Sequence, residues 1–527
     1  MSAGWPEVAL ARTRGVALVG VDGHLVDIEA DLSTGVPSYT LVGLPDASLS
    51  ESRDRVRAAM VNSGQDWPST RRVTVNLSPA SLPKRGSGFD LAIAAAILAA
   101  QAEVPPAVFE QAVLIGELGL DGRVRSVRGV LPAVAAAARA GVESVVVPST
   151  NSAEAALVPG VRVTGVASLR SLIARARGQD TPDECDDGHL AALSDAAEDE
   201  ASQPDLADVL GQATARYLLE VAAAGGHHLL MLGPPGAGKT MLAERLPGLL
   251  PPLDRDAALE VTAVHSVAGS LRNPSGGGPP LLTSPPFQSP HHTASVPAIV
   301  GGGSSHVRPG AASLAHRGVL FLDEAPEFAP GVLDALREPL ESGEITVSRL
   351  AAQVRFPARF QLVLAANPCP CGLALDRGGG CSCTPMARIR YLSRLSGPLL
   401  DRVDLRIEML AATRADLRGD PTGSEGTAAV AARVQAARVR MAARLRETPW
   451  RVNAEVPGHV LRQRWPLPWE VVAEAERLLD LGQLTARGVD RVVRVAWTVA
   501  DLEGRDRPDA GDVRLALDCR GVLRAAA

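Results

Sequence analysis

Residues 227–240 run His-His-Leu-Leu-Met-Leu-Gly-Pro-Pro-Gly-Ala-Gly-Lys-Thr, an apolar stretch ending in the pattern G-x-x-x-x-G-K-T. This pattern constrains the fold more than any other part of the chain, because it works only where a buried strand turns through a glycine loop into a helix. Leu229 to Leu232 supplies the predicted strand and Met241 to Leu250 the predicted helix. Glycines 233, 236 and 238 let successive backbone N–H groups turn inward around phosphates, where the helix N-terminus adds partial positive charge. Gly233, Pro234, Pro235, Gly236, Ala237, Gly238, Lys239 and Thr240 are therefore candidate ATP-binding residues. Lys239 is expected at the β- and γ-phosphates and the Thr240 hydroxyl on Mg²⁺.

Composition sharpens this reading. Of 53 Lys plus Arg residues only Lys84 and Lys239 are lysines, so an otherwise arginine-rich chain keeps a compact ammonium at the crowded loop. A chain of 527 residues predicts about three domains. A net charge of −6 with 21% charged and 3% aromatic residues excludes a whole-chain basic field, so any polyanion must be bound locally. No apolar run reads as a membrane span, no signal pattern opens the sequence, and four of the six cysteines cluster. A cytoplasmic, non-membrane protein is expected.

The second half of the ATP site follows the loop in order. The apolar run 318–322 ends in Asp323 and Glu324, the first expected to position Mg²⁺ and the second to orient and deprotonate the attacking water. Gln361 to Ala366 reads as a strand delivering Asn367 to the γ-phosphate. Arg402, in the segment 396–404, is a candidate arginine finger for a neighbouring subunit, which implies a ring with a hexamer as default. Thr485 to Asp501 is the expected lid helix, with Arg487 first choice for the second nucleotide sensor and Arg491 or Arg494 as alternatives.

Two insertions separate these marks. The Gly/Pro-rich segment from Asn273 to Gly310 contains Pro290-His291-His292-Thr293, whose histidines either touch substrate or pack the loop. Residues 343–356 read as a β-hairpin, with Arg349 and Arg355 as candidate DNA-phosphate contacts. Cys369, Cys371, Cys381 and Cys383 supply enough thiolates for tetrahedral Zn²⁺, although the single-residue gap inside each pair also suits a reduced, metal-free loop. Arg433, Arg438, Arg440 and Arg444 on a predicted C-terminal helix either face DNA or pack on the ATPase domain.

Ahead of the ATPase lies a block of short strands (16–21, 25–31, 38–42, 72–76, 113–117, 144–147) alternating with helices that begin near 48, 90, 130 and 168. Its loop 77–91, with Gly116, Glu117, Leu118 and Gly129, resembles the proteolytic domain of Lon-type proteases. In that register the nucleophile position falls on Gly88 and the lysine position on Leu131 or Ala133, which leaves Ser87 without a base. Lys84 in this loop is either a ligand contact or a solvated lysine.

The ordered marks resemble AAA+ ATPases as a class. Ser289 to Thr293, the run Asn367 to Gly372, Tyr391 to Asp404 and Ala486 to Arg494 are similar to the YifB/ComM-type magnesium-chelatase-like family. The expected fold is α/β: a Lon-like domain (1–175), an acidic linker (176–205), an AAA+ phosphate-loop core (206–412), a second linker (413–427) and a helical lid (428–527). The resemblance implies a hexameric motor that hydrolyses ATP to drive branch migration or unwinding of single-stranded or branched DNA. The alternatives are a magnesium-chelatase ATPase subunit and an ATP-dependent protein unfoldase or protease.

Overall fold

A computed structural model describes residues 9–181, 204–271, 281–303, 307–349, 352–375, 380–411, 413 and 425–520. Both expected linkers lie largely outside these residues, as do Cys185 and the acidic run around it.

The first domain is built on a seven-stranded mixed sheet in the order Ser38–Val42, Arg72–Ser78, Asp22–Ser33, Leu10–Val19, Ala112–Leu114, Ser144–Pro148, Arg162–Val166. The long antiparallel ribbon of Leu10–Val19 with Asp22–Ser33 lies at its centre, and the later strands add in parallel. Helix Asp90–Ala100 is buried on every side. Its Ala/Leu/Ile sequence lacks a polar face because it packs against the sheet on one side and against helix Ser52–Asn62 on the other.

The second domain holds five parallel strands in the order Phe287–Gln288, Val319–Leu322, Gln361–Ala366, Leu229–Leu232, Leu405–Glu408. Alternate residues enter two cores. Leu229, Met231, Phe321 and Val363 face helices Ala213–Gly225 and Lys239–Leu249, whereas Leu230, Leu320, Leu322 and Leu364 face the segment 311–342. Burial on both faces explains why these strands read as unbroken apolar runs. From Leu229–Leu232 the chain crosses to the far edge at Phe287–Gln288, works back to Gln361–Ala366 beside it and passes to Leu405–Glu408 on its other side, so the direction of travel reverses there, and the crevice at the strand ends is the usual ligand position.

Helices Thr427–Leu445, Trp469–Asp480, Ala486–Leu502 and Ala510–Asp518 form the C-terminal unit, docked on helix Ala213–Gly225. Arg433 pairs with Glu220 and Glu425, Arg438 donates to the Ala223 carbonyl, Arg440 to the Asp501 carbonyl, and Arg444 to Asp501 and Asn453. This arginine row is thus an internal seam between helices, not a DNA-facing stripe.

The first domain meets the ATPase at helix Arg255–Ala268 and at the hairpin. The Gly129 N–H donates to Ser266 on helix Arg255–Ala268, which packs on helix Val130–Arg139. The predicted hairpin forms from Glu344–Arg349 and Ala352–Pro357, and its Val354 and Phe356 close over Gly20. A Cβ on Gly20 would lie 2.7 Å from the Arg355 carbonyl oxygen, so only glycine fits there, and its φ of +69° suits it too.

Candidate functional site

The loop after Leu232 and the ends of two neighbouring strands enclose a cavity of about 340 Å³. Residues 235–241, Asp323, Glu324, Ala366 and Asn367 line it. Lys239 Nζ donates to the carbonyls of Gly233 (2.6 Å) and Pro234 (3.0 Å) and to Asn367 Oδ1 (3.1 Å). Burial lowers the Lys239 pKa while Asp323 and Glu324 pull it back up, so the acidic pair helps to keep the lysine charged. Thr240 Oγ1 donates to Asp323 Oδ2 at 2.8 Å, which brings together two oxygen donors of the kind a hard cation prefers. Glu324 sits at φ 50° and ψ 42°, a left-handed conformation that costs a non-glycine residue about 1–3 kcal/mol and that the flanking strand and turn must hold. The loop residues, the acidic pair and Asn367 therefore share one cleft.

Arg402 and Arg487 stand elsewhere. They line a second cavity of about 740 Å³ with Asp334, Arg337, Glu338, Glu341 and Asp401. Arg402 donates to the Pro398 carbonyl at 2.6 Å and pairs with Glu341, while its buried Nε has no partner. Burial and then the nearby charges of Arg337, Arg491 and Arg487 depress the Arg402 pKa. Arg487 lies 3.7 Å from Asp401 with most of its side chain exposed. The lid helix starts beside the Arg402 turn, so Arg487 shares Arg402's cavity and does not line the one at Lys239. The alternatives, unlike Arg487, are largely internal. Arg491 binds Asp404, and Arg494 is largely buried with its Nε unpartnered.

The sequence reading missed two features here. Arg337 joins this mixed-charge cavity from a helical segment with no motif to mark it. His292 Nδ1 lies 3.2 Å from Glu324 Oε2, which gives the histidine pair a place at the acidic strand.

The four clustered cysteines converge, with their Sγ atoms all within 4.8 Å of one another. Cys369 Sγ lies 3.3 Å from Cys371 and 3.7 Å from Cys381, and none of the described cysteines forms a disulfide. Ligands about 2.3 Å from a tetrahedral zinc stand about 3.8 Å apart, so the cluster fits that ion after a small expansion. The Leu373 backbone N–H is the main cause holding the Cys371 thiol down at about 6, toward the thiolate a metal needs. Gly372, at φ +79°, packs so closely that an added Cβ would meet Pro235 of the phosphate loop at 2.6 Å. The cysteine loop thus buttresses the nucleotide site.

On the hairpin, Arg355 is exposed on the strand face opposite buried Val354 and Phe356. Arg349 ends its strand, and its side chain lies outside the described residues. Parts of the first insertion, residues 272–280 and 304–306, also lie outside them.

In the first domain, Ser87 Oγ contacts Glu117, while Leu131 and Ala133 are buried and apolar. Lys84 is not a solvated lysine. It is fully buried, and its ammonium donates to the Pro79 carbonyl within its own loop.

Parallel sheet, phosphate loop, acidic strand and helical lid together define a phosphate-loop ATPase of the AAA+ class. Residues 205–417 match the family magnesium chelatase, subunit ChlI; residues 28–151 match subunit ChlI of Mg-chelatase; and residues 424–520 match the subunit's C-terminal family. An uncharacterized protein of Mycobacterium tuberculosis is 52% identical, over 97% of this chain and 99% of its own. YifB of Escherichia coli is 41% identical over 98% of both chains, and competence protein ComM of Haemophilus influenzae 40% over the same share of each. The chain belongs to the YifB/ComM family of magnesium-chelatase-like AAA+ ATPases, which implies ATP hydrolysis with Mg²⁺. The N-terminal region also resembles Lon protease of Rhizobium meliloti, 29% identical over 28% of this chain and 18% of that protein. No described helix is long and apolar enough to cross a membrane.

Proposed function

We propose that the chain is a subunit of a cytoplasmic ring motor, by default a hexamer, that couples ATP hydrolysis to movement of single-stranded or branched DNA. The observation that carries this reading is the division of the expected ATP-site residues between two cavities. Lys239, Thr240, Asp323, Glu324 and Asn367 share one, and Arg337, Arg402 and Arg487 share the other. Three arginines there, set among the carboxylates of Asp334, Glu338, Glu341 and Asp401, are available to a phosphate presented by a neighbouring copy, which leaves each ATP site incomplete until that copy docks.

Thr240 and Asp323 would hold Mg²⁺, which neutralises charge building up between the β- and γ-phosphates. Lys239 is placed to bind the same oxygens. Asn367 orients a water, Glu324 takes its proton as the oxygen bonds to the γ-phosphorus, and the bond to the ADP oxygen breaks. The neighbour's Arg402 and Arg487 stabilise the charge on the departing group. The cysteine cluster would hold Zn²⁺ as a staple beneath the loop.

DNA as the track is supported by the name competence protein carried by the Haemophilus relative and by the exposed Arg355 on the hairpin. The family matches to magnesium chelatase favour a second reading, a motor for metal insertion into a porphyrin. Protease chemistry finds no support, since Ser87 faces a carboxylate and Lys84 is tied to its own loop. The test is ATP-dependent resolution of a labelled four-way junction into duplex arms. Resolution that fails in Lys239→Ala supports the motor. No resolution, with ATPase stimulated by a porphyrin-binding partner, would establish the second reading.

A further inference from the structure

A buried guanidinium with no anion beside it costs stability, so an arginine left that way in the wall of a cavity marks a place for an anion. Two such arginines line one cavity. It holds about 710 Å³ and opens between the ATPase sheet and the C-terminal unit. Gly226, His228, Gly318 and Gln361 place it at the N-terminal ends of the parallel strands, the end of the sheet opposite the phosphate loop. Arg438 from helix Thr427–Leu445, Trp450, and Arg494 from helix Ala486–Leu502 line it from the C-terminal unit.

Five arginines and three carboxylates line this cavity, and the acids are already engaged. Asp254 pairs with Arg451 at 2.8 Å and accepts from the Ala257 N–H at the start of helix Arg255–Ala268. Glu455 accepts from the Arg451 backbone N–H at 2.8 Å, and Glu341 pairs with Arg402. Of the cations, Arg317 is held by Glu260 and Arg359 is exposed. Arg438 and Arg494 differ from these, since neither pairs with a carboxylate among the described residues. The Nε and one Nη of Arg438 both donate to a single carbonyl, that of Ala223. The buried Nε of Arg494 has no partner. Asp404 and Asp490 act on Arg494 by charge, but His227 and Arg491 hold the first and Arg462 the second. Burial is the main cause lowering the pKa of both arginines, that of Arg438 to about 10 although Glu455 draws it back. Burial also holds His228 down at about 4, so it adds no charge at neutral pH.

We propose that this cavity binds a phosphate monoester of nucleotide size, with its phosphate on Arg438 and Arg494 and its base against Trp450. Two guanidinium groups without carboxylates match the two negative charges of a terminal phosphate, whose oxygens a planar fork can take in pairs. The volume exceeds what a phosphate alone fills, and Trp450 supplies an aromatic surface for a base. The site goes beyond the motor reading, for it shares no lining residue with the cavity at Lys239.

The test is calorimetric titration of AMP and of adenosine into the full chain, in wild type, Arg494→Met, Trp450→Leu and Lys239→Ala. AMP lacks the β- and γ-phosphates that Lys239 is placed to bind, so wild type and Lys239→Ala should bind it equally. Arg494→Met is expected to weaken AMP about ten- to a hundredfold, and adenosine should bind the wild type no better than AMP binds that variant. Trp450→Leu should weaken both ligands. The ligand-free melting temperature separates binding from packing. Methionine keeps the length of the side chain and removes an unpaired buried charge, so Arg494→Met should melt above the wild type without AMP and gain nothing from it. AMP that fails to bind the wild type, binds Arg494→Met equally well, is lost in Lys239→Ala or is matched by adenosine would overturn the proposal. So would a ligand-free melting temperature lowered in Arg494→Met.

Discussion

Asp404 is a buried carboxylate with both oxygens engaged: Oδ2 lies 3.0 Å from His227 Nδ1, and Oδ1 accepts from Arg491 at 3.1 Å. Burial alone would raise its pKa, but the His227 contact and the Arg491 charge outweigh burial and hold it well below the usual carboxylate range. A carboxylate depressed on folding adds stability that is fully present well above about pH 4 and lost as pH falls toward its folded value. Asp404→Asn leaves Arg491 buried without its partner and is expected to cost about 3–5 kcal/mol at neutral pH. Urea titrations from pH 7 to pH 3 should show that loss, together with a flatter acid limb than in the wild type. An equal midpoint at neutral pH would contradict it. This cluster was not legible in the sequence, because its partners lie 177 and 87 positions from Asp404 and no motif marks the pairing. Lys239, Thr240 and the acidic pair were legible because each sits at the end of an apolar strand in a fixed spacing. Arg487 lies in the first turn of helix Ala486–Leu502 and lines the Arg402 cavity, a placement the sequence could not show, since a helix named from its sequence does not reveal which way its first turn docks.

Among elements, the cysteine loop and the hairpin each make a claim of their own. If the four thiols bind zinc, the purified protein carries about one zinc per chain, and Cys369→Ser abolishes it. Because Gly372 backs onto Pro235, losing the metal should also weaken ATP binding, which a fluorescent nucleotide titration can read. Unchanged ATP affinity after chelation would detach the cluster from the loop. On the hairpin, Arg355→Ala should weaken DNA binding and lower the slope of log Kd against log salt by about one contact. A slope equal to the wild type's would remove Arg355 from the interface. The hairpin was readable from the alternation along its two arms, 344–349 and 353–356. Strand Arg162–Val166 was not, because an edge strand half open to solvent carries only a faint pattern, and helix Arg255–Ala268 went unremarked between the phosphate loop and the insertion.

For the whole molecule, the separation of Lys239 from Arg402 predicts that activity belongs to pairs of subunits. Lys239→Ala and Arg402→Ala should each lose about 10³-fold or more in ATPase rate. Mixing the two inactive proteins should restore part of that rate, because some junctions between copies then join an intact loop to an intact finger. No recovery from a mixed assembly would place Arg402 outside the reaction. The order of domains was visible from the N-terminal alternation and the motif series, whereas their contact through Gly20 and Gly129 was not, since it is made by backbone and by glycines. The most direct measurement of the central claim is the steady-state ATPase rate of wild type and Lys239→Ala, each alone and with a four-way DNA junction. The account predicts strong stimulation of the wild type by the junction and no turnover in Lys239→Ala; a wild-type rate indifferent to DNA would contradict it.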